Sequence, residues 1–168
     1  NVIQVGGHGI TFDNICVMYG GSHGIGSGTT KDLTVQNCTF GWIGGAIQHY
    51  NDNGTVTRFG NGVEIYGGCD GYLIDNCYLW QNYDAGVTHQ YSSRSGGNCV
   101  MKNITYSNNV MTECIYSIEY FCGQNNPDFD AKMVNILMKG NICRYAGGFG
   151  WQRPNRVARH IQGGWLGN

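Results

Sequence analysis

The sequence predicts an all-β solenoid, a single-stranded right-handed parallel β-helix of about five to six turns forming one domain over residues 1–168. Three observations carry this. A short alternating segment that runs into a polar corner recurs five times along the chain, and a second apolar strand follows each corner. Charged residues make up only 12% of the chain, against about 25% in ordinary globular domains. The 28 glycines and 2 prolines point to many tight turns in a hydrogen-bonded chain.

The recurring segments are Ile10 to Val17, Leu33 to Phe40, Tyr72 to Leu79, Ile104 to Met111 and Ile136 to Cys143. Alternation with period two places one face of each segment inside a coil. Four copies carry an asparagine at the corner, Asn14, Asn37, Asn76 and Asn108, and the fifth carries Gly140 followed by Asn141. The corner-to-corner steps are 37−14 = 23, 76−37 = 39, 108−76 = 32 and 140−108 = 32. A step near 23 suits one turn of a three-sided coil, and surface loops supply the excess. Asparagine tolerates the left-handed backbone of a sharp bend, and its amide can bond to the asparagine of the next turn, so an interior asparagine ladder is expected.

The second strand appears in Gly24 to Gly26, Gly62 to Tyr66, Gly86 to Tyr91, Tyr116 to Phe121 and Gly148 to Gln152. In three copies a glycine of this strand stands at one spacing, since 24−17, 86−79 and 150−143 each equal 7. The second turn is interrupted by roughly fifteen extra residues, 46–60, read as a projecting loop. Cys16, Cys38, Cys77 and Cys143 fall in the repeated apolar segments and are expected as stacked core thiols. Cys69, Cys99, Cys114 and Cys122 lie nearer turns, where one disulfide fits. The run Trp151 to His160 holds Arg153, Arg156 and Arg159 and reads either as a solvated loop or short helix from Pro154, or as a site for an acidic sugar.

This pattern resembles the pectate-lyase-like superfamily of right-handed β-helices over nearly the whole chain, a group that includes polysaccharide lyases, glycoside hydrolases, phage tailspikes and adhesins. Arg58-Phe59-Gly60-Asn61-Gly62-Val63-Glu64-Ile65-Tyr66 followed by Tyr83-Asp84-Ala85-Gly86-Val87-Thr88-His89-Gln90 resembles a recurring block of bacterial secreted β-helix proteins classed with carbohydrate-active enzymes. The repeat alignment stacks Gly62 on Gly86 and Val63 on Val87, which brings Glu64 beside Thr88, with Asp84 at the corner just before. A carboxylate pair on adjacent turns fits the roughly 5–10 Å that glycoside hydrolysis requires of its acid and its base or nucleophile. Glu64 and Asp84 are therefore the expected catalytic pair. His89, Gln90, Tyr66, Arg58 and a paired platform of Trp42 and Trp80 are the expected sugar-binding residues, because sugar rings stack on aromatic faces. The plainer readings stand beside these: Glu64 as a solvated residue or an ion-pair partner of Arg58, Asp84 as a turn acceptor and His89 as a core histidine; Glu119 is a further exposed-face carboxylate and a third catalytic candidate.

Several function classes fall away. The net charge of −1 offers no field for nucleic acid or an anionic membrane. No apolar run reaches the length of a membrane span, so the chain reads as soluble, with an extracellular or cell-surface location expected and the periplasm as alternative. No cofactor is expected. Gly24 to Gly28 lacks the lysine of a phosphate loop, the five histidines are scattered without metal-ligand spacing, and no metal site is expected. A lyase would need a calcium site or a basic residue, yet Asp128 and Asp130 share one loop, and Asp13 and Asp75 stand two turns apart. Of the glycosylation sequons at Asn37, Asn53 and Asn103, only Asn53 reads as accessible. The leading expectation is a glycoside hydrolase acting on a polysaccharide. The alternatives are a non-catalytic adhesin, tailspike or filament module, and a polysaccharide lyase. Neither terminus reads as a capping helix, so end-to-end association or a longer chain is expected as well.

Overall fold

The computed structural model describes residues 1–92, 99–123, 131–148, 150–154 and 156–166, and every regular element among them is a strand. The chain visits three parallel sheets in fixed rotation. The first sheet contains β1 (Ile3–Val5), β4 (Ile25–Ser27), β9 (Val63–Tyr66), β12 (Ala85–Ser92), β15 (Tyr116–Gly123) and β18 (Arg159–Leu166). The second contains β2 (His8–Asp13), β5 (Thr30–Gln36), β10 (Cys69–Asp75), β13 (Cys99–Ser107) and β16 (Ala131–Lys139). The third contains β3 (Cys16–Met18), β6 (Thr39–Gly41), β11 (Tyr78–Trp80), β14 (Val110–Thr112) and β17 (Ile142–Arg144). This arrangement is compatible with a parallel β-helix or a similar solenoid. The residues read as a projecting loop form an antiparallel hairpin of β7 (Ile47–Tyr50) and β8 (Val56–Arg58).

Register turns the sequence repeat into columns. Ile10, Leu33, Tyr72, Ile104 and Ile136 align, as do Phe12, Val35, Ile74, Tyr106 and Met138. The third sheet contributes Val17, Phe40, Leu79, Met111 and Cys143. The first contributes Ile25, Val63, Val87 and Ile118. In the middle turns these inward residues are almost fully buried, and together they form one apolar core.

Three further columns hold the corners. Asn14, Asn37, Asn76, Asn108 and Gly140 all adopt left-handed backbone, with φ from 50° to 64°. The four asparagine side chains are exposed rather than interior, which corrects the expected ladder: at a left-handed corner the side chain leaves the coil, and the next residue turns inward. Asn76 donates to Asn37 at 2.8 Å, whereas Asn37 and Asn108 donate to Asp13 and Asp75. The inward file carries buried Cys38, Cys77 and Asn109, with Asn109 donating to Asn141 at 2.9 Å. A second left-handed column, Gly9, Asp32, Gly71, Asn103 and Asn135, bends the middle of the second sheet; a third, Tyr19, Trp42, Gln81, Glu113 and Tyr145, ends the third.

Other expectations need correction. All eight cysteines are free. Only Cys38 and Cys77 stack as core neighbours; Cys16 faces outward and is exposed, and Cys143 belongs to the Phe40 column instead. Among the described residues, Gly148 and 150–152 are turn, bend or irregular instead of a last copy of the second strand, and neither Pro154 nor 156–158 is helical. The chain instead folds back across earlier turns before entering β18. The sequon residues Asn37 and Asn103 are exposed like Asn53. Asp128, Asp130, Phe149 and Asn155 lie outside the described residues.

Candidate functional site

On the outer face of the first sheet, the register places Gly26, Glu64, Thr88, Glu119 and Gln162 in one row. Glu64 and Glu119 therefore flank Thr88, two strand spacings or about 9–10 Å apart along the backbone. The corner before this row brings in Asp84, whose backbone N–H donates to the Gly60 carbonyl at 3.0 Å. Glu64, Glu119 and Asp84 line a cavity of about 370 Å³ with His23, Phe59, Asn61, Tyr66, Gln90 and Arg153.

Each carboxylate has its own environment. Glu64 accepts from Asn61 Nδ2 and lies 3.3 Å from His23 Nε2. The Asn61 backbone N–H donates to His23 Nδ1, so the ring carries its proton on Nε2 and presents it to Glu64. Burial holds His23 down at about 4 and pushes Glu64 up to about 7, so near neutrality their contact is a hydrogen bond of a neutral imidazole rather than an ion pair. Asp84 is 3% exposed, pairs through Oδ2 with Arg153 Nη1 at 2.7 Å, and keeps a buried Oδ1 with no hydrogen-bond partner. Burial raises its pKa, and Arg153 opposes the rise. Glu119 accepts from Gln90 Nε2 at 3.0 Å and is pushed up to about 8, first by burial and then by Asp84.

Of the residues predicted from sequence, Glu64, Asp84, Gln90 and Tyr66 line this cavity. His89 does not: it occupies an interior column between Ile65 and Tyr120, is fully buried, and bonds through Nδ1 to the Tyr106 hydroxyl at 2.7 Å. Even spacing along the strand puts Thr88 and Gln90 on one face and His89 on the other. Arg58 donates to the Gly45 carbonyl at the hairpin base and lines an adjacent cavity with Arg153 and Arg156, so it is not the ion-pair partner of Glu64. Trp42 and Trp80 do meet, with ring centroids 4.9 Å apart, and Tyr19 and Tyr78 extend them into an outer aromatic strip. A β-carbon on Gly41 would stand 2.5 Å from the Trp80 indole, so glycine there lets the ring lie across the strand. The strip belongs to the third sheet and stands apart from the carboxylate cavity.

His23, Phe59, Asn61 and Arg153 were not assigned to this site from sequence, although Phe59 and Asn61 stand in the resembling block and Arg153 in the arginine-bearing run. The Gly24, Gly62 and Gly86 alignment placed His23, Asn61 and Ala85 in one file and was the available signal for the first and third. Arg153 arrives by the fold-back, where its N–H donates to the Tyr83 carbonyl at 3.2 Å, a contact across seventy positions with no local signature. Among the described residues, no group of three His, Cys, Asp or Glu is spaced to hold a metal ion, and no helix is long and apolar enough to cross a membrane.

The buried groups set the pH profile of stability. Glu64 and Glu119 keep protons that the unfolded chain releases near 4.5, so their contribution is present below that pH and is lost as pH rises through about 7 and about 8. His23 and His89 stay neutral down to about 4, whereas the unfolded chain binds their protons from 6.5 downward; their contribution is present above 6.5 and is lost as pH falls. Between 4.5 and 6.5 the two gradients oppose each other. Urea unfolding from about pH 3 to about pH 9 is expected to show a plateau there and a decline on either side. A monotonic rise towards alkaline pH would contradict these assignments.

No protein-family model matches the chain, and neither a curated protein nor a solved structure matches it.

Proposed function

We propose that the chain is a right-handed parallel β-helix of the pectate-lyase-like kind with a mixed asparagine and aspartate ladder, and that it hydrolyses glycosidic bonds of a polysaccharide at the cavity on its first sheet. One observation carries the reading: three carboxylates from neighbouring turns line a single cavity. Glycoside hydrolysis needs one protonated carboxyl to donate to the departing oxygen and one carboxylate to activate water or attack the sugar. Glu64, with its pKa raised to about 7 by burial, carries the proton as general acid. Asp84, held by Arg153 through Oδ2 and with Oδ1 buried and without a hydrogen-bond partner, is the base or nucleophile. Gln90 and Tyr66 contact the sugar at the rim, and the Trp42–Trp80 strip offers a second platform for a long chain. An extracellular or cell-surface location accompanies this reading.

Reducing ends released from a panel of plant and bacterial polysaccharides test it. Glu64→Gln and Asp84→Asn are each expected to slow hydrolysis by about 100-fold or more, and wild-type activity is expected to fall as pH rises past about 7. Full activity in both variants would dismiss the pair. Binding without release on every polymer would favour a non-catalytic glycan-binding module instead, and unsaturated products would favour a lyase.

A further inference from the structure

Charge and hydrogen bonding at the cavity name the sugar more closely. Three carboxyl side chains, Glu64, Asp84 and Glu119, line it; Glu64 and Glu119, pushed up to about 7 and about 8, hold their protons at pH 6, and Arg153 is the single cation in the lining among the described residues. That arginine is already engaged with Asp84 Oδ2. Arg156 stands nearby and lines the adjacent cavity, while burial keeps His23 neutral with both ring nitrogens occupied. The second oxygen of Asp84 is buried, accepts no hydrogen bond and belongs to a cavity-lining side chain that is 3% exposed. A buried carboxylate oxygen without a donor is costly, and a ligand N–H placed there removes the cost. Phe59 and the exposed ring of Tyr66 flank the carboxylates with flat apolar surface suited to the face of a sugar ring.

Resting on the carbohydrate reading above, we infer that this cavity takes a saccharide bearing protonated amines, a 2-amino-2-deoxy sugar polymer, with an ammonium group donating to Asp84 Oδ1. A uronate would set its carboxylate against Asp84 and find Arg153, the one lining arginine among the described residues, already occupied. A neutral N-acetylated sugar would offer one amide N–H and no charge.

Calorimetric titration of the intact protein with β-1,4-linked glucosamine oligomers, their N-acetylated counterparts and oligogalacturonates of equal length tests this at about pH 6, where the amines are protonated. The glucosamine oligomer is expected to bind about tenfold or more tightly than the N-acetylated one, with no measurable binding of the uronate. Asp84→Asn is expected to abolish that preference, with circular dichroism reporting whether the variant is folded. Equal or tighter binding of the N-acetylated or uronate oligomer would overturn the amine assignment and leave the carbohydrate reading standing. No binding of any of the three would overturn the amine assignment, and the polysaccharide panel would then decide the carbohydrate reading. A linear polyamine binding as tightly as the glucosamine oligomer would overturn the saccharide part and leave a cation site.

Discussion

Truncation of Phe40 to alanine is expected to lower the unfolding free energy by about 3–5 kcal/mol. Phe40 is fully buried in the middle of the Val17, Phe40, Leu79, Met111, Cys143 column, with a backbone ladder on both sides. Strand spacing along such a column is set by hydrogen bonds, so neighbouring turns cannot close over the space that the ring leaves. The loss therefore combines the transfer of the ring to water with an unfilled cavity. Equilibrium urea unfolding measures it, with the exposed Lys31→Ala on the adjacent sheet expected to change stability by no more than about 0.5 kcal/mol. A Phe40→Ala loss below about 1 kcal/mol would show that the columns are not close-packed.

Replacement of Gly60 by valine is expected to do comparable damage, at or beyond the upper end of the roughly 1–3 kcal/mol typical of overpacked sites. Gly44 and Gly60 press backbone against backbone at the base of the hairpin: a β-carbon on Gly60 would overlap Gly44 Cα, and one on Gly44, whose φ is +101°, would stand 2.5 Å from Gly60 Cα. No side chain can rotate away to relieve that contact. The Gly60 carbonyl also receives the Asp84 N–H, so the strain passes directly to the carboxylate corner. Lower thermal stability and loss of ligand binding together are the expected readout, whereas Ala46→Val, on the exposed stem of the same hairpin, is expected to alter neither. Native stability in Gly60→Val would refute the close approach.

The strand rows were legible because they depend on local pattern. Alternation from Leu33 to Val35 and from Tyr72 to Ile74, repeated before each asparagine, specifies which side chains point inward. Once Val63 was aligned on Val87, Glu64 necessarily fell beside Thr88, as the register has it. The same alternation carried enough information to assign His89 inward, and its placement among sugar-binding residues ignored that period. The exposed position of the asparagine column was less accessible, because a left-handed residue interrupts alternation and whether Asn37 or Cys38 enters the coil depends on the bend itself.

What the sequence determined alone is therefore the recurring strands of the middle turns, their register and the row that carries Glu64, all consequences of a side-chain period of two and a recurring corner. Only the tertiary structure decided that Arg153 returns to Asp84, that His23 and Asn61 hold Glu64, and that Glu119 shares their cavity. Those contacts join residues up to about seventy positions apart through loops of irregular length. Their partners are chosen by the burial of charge and the need to satisfy buried polar groups rather than by any local preference of the backbone.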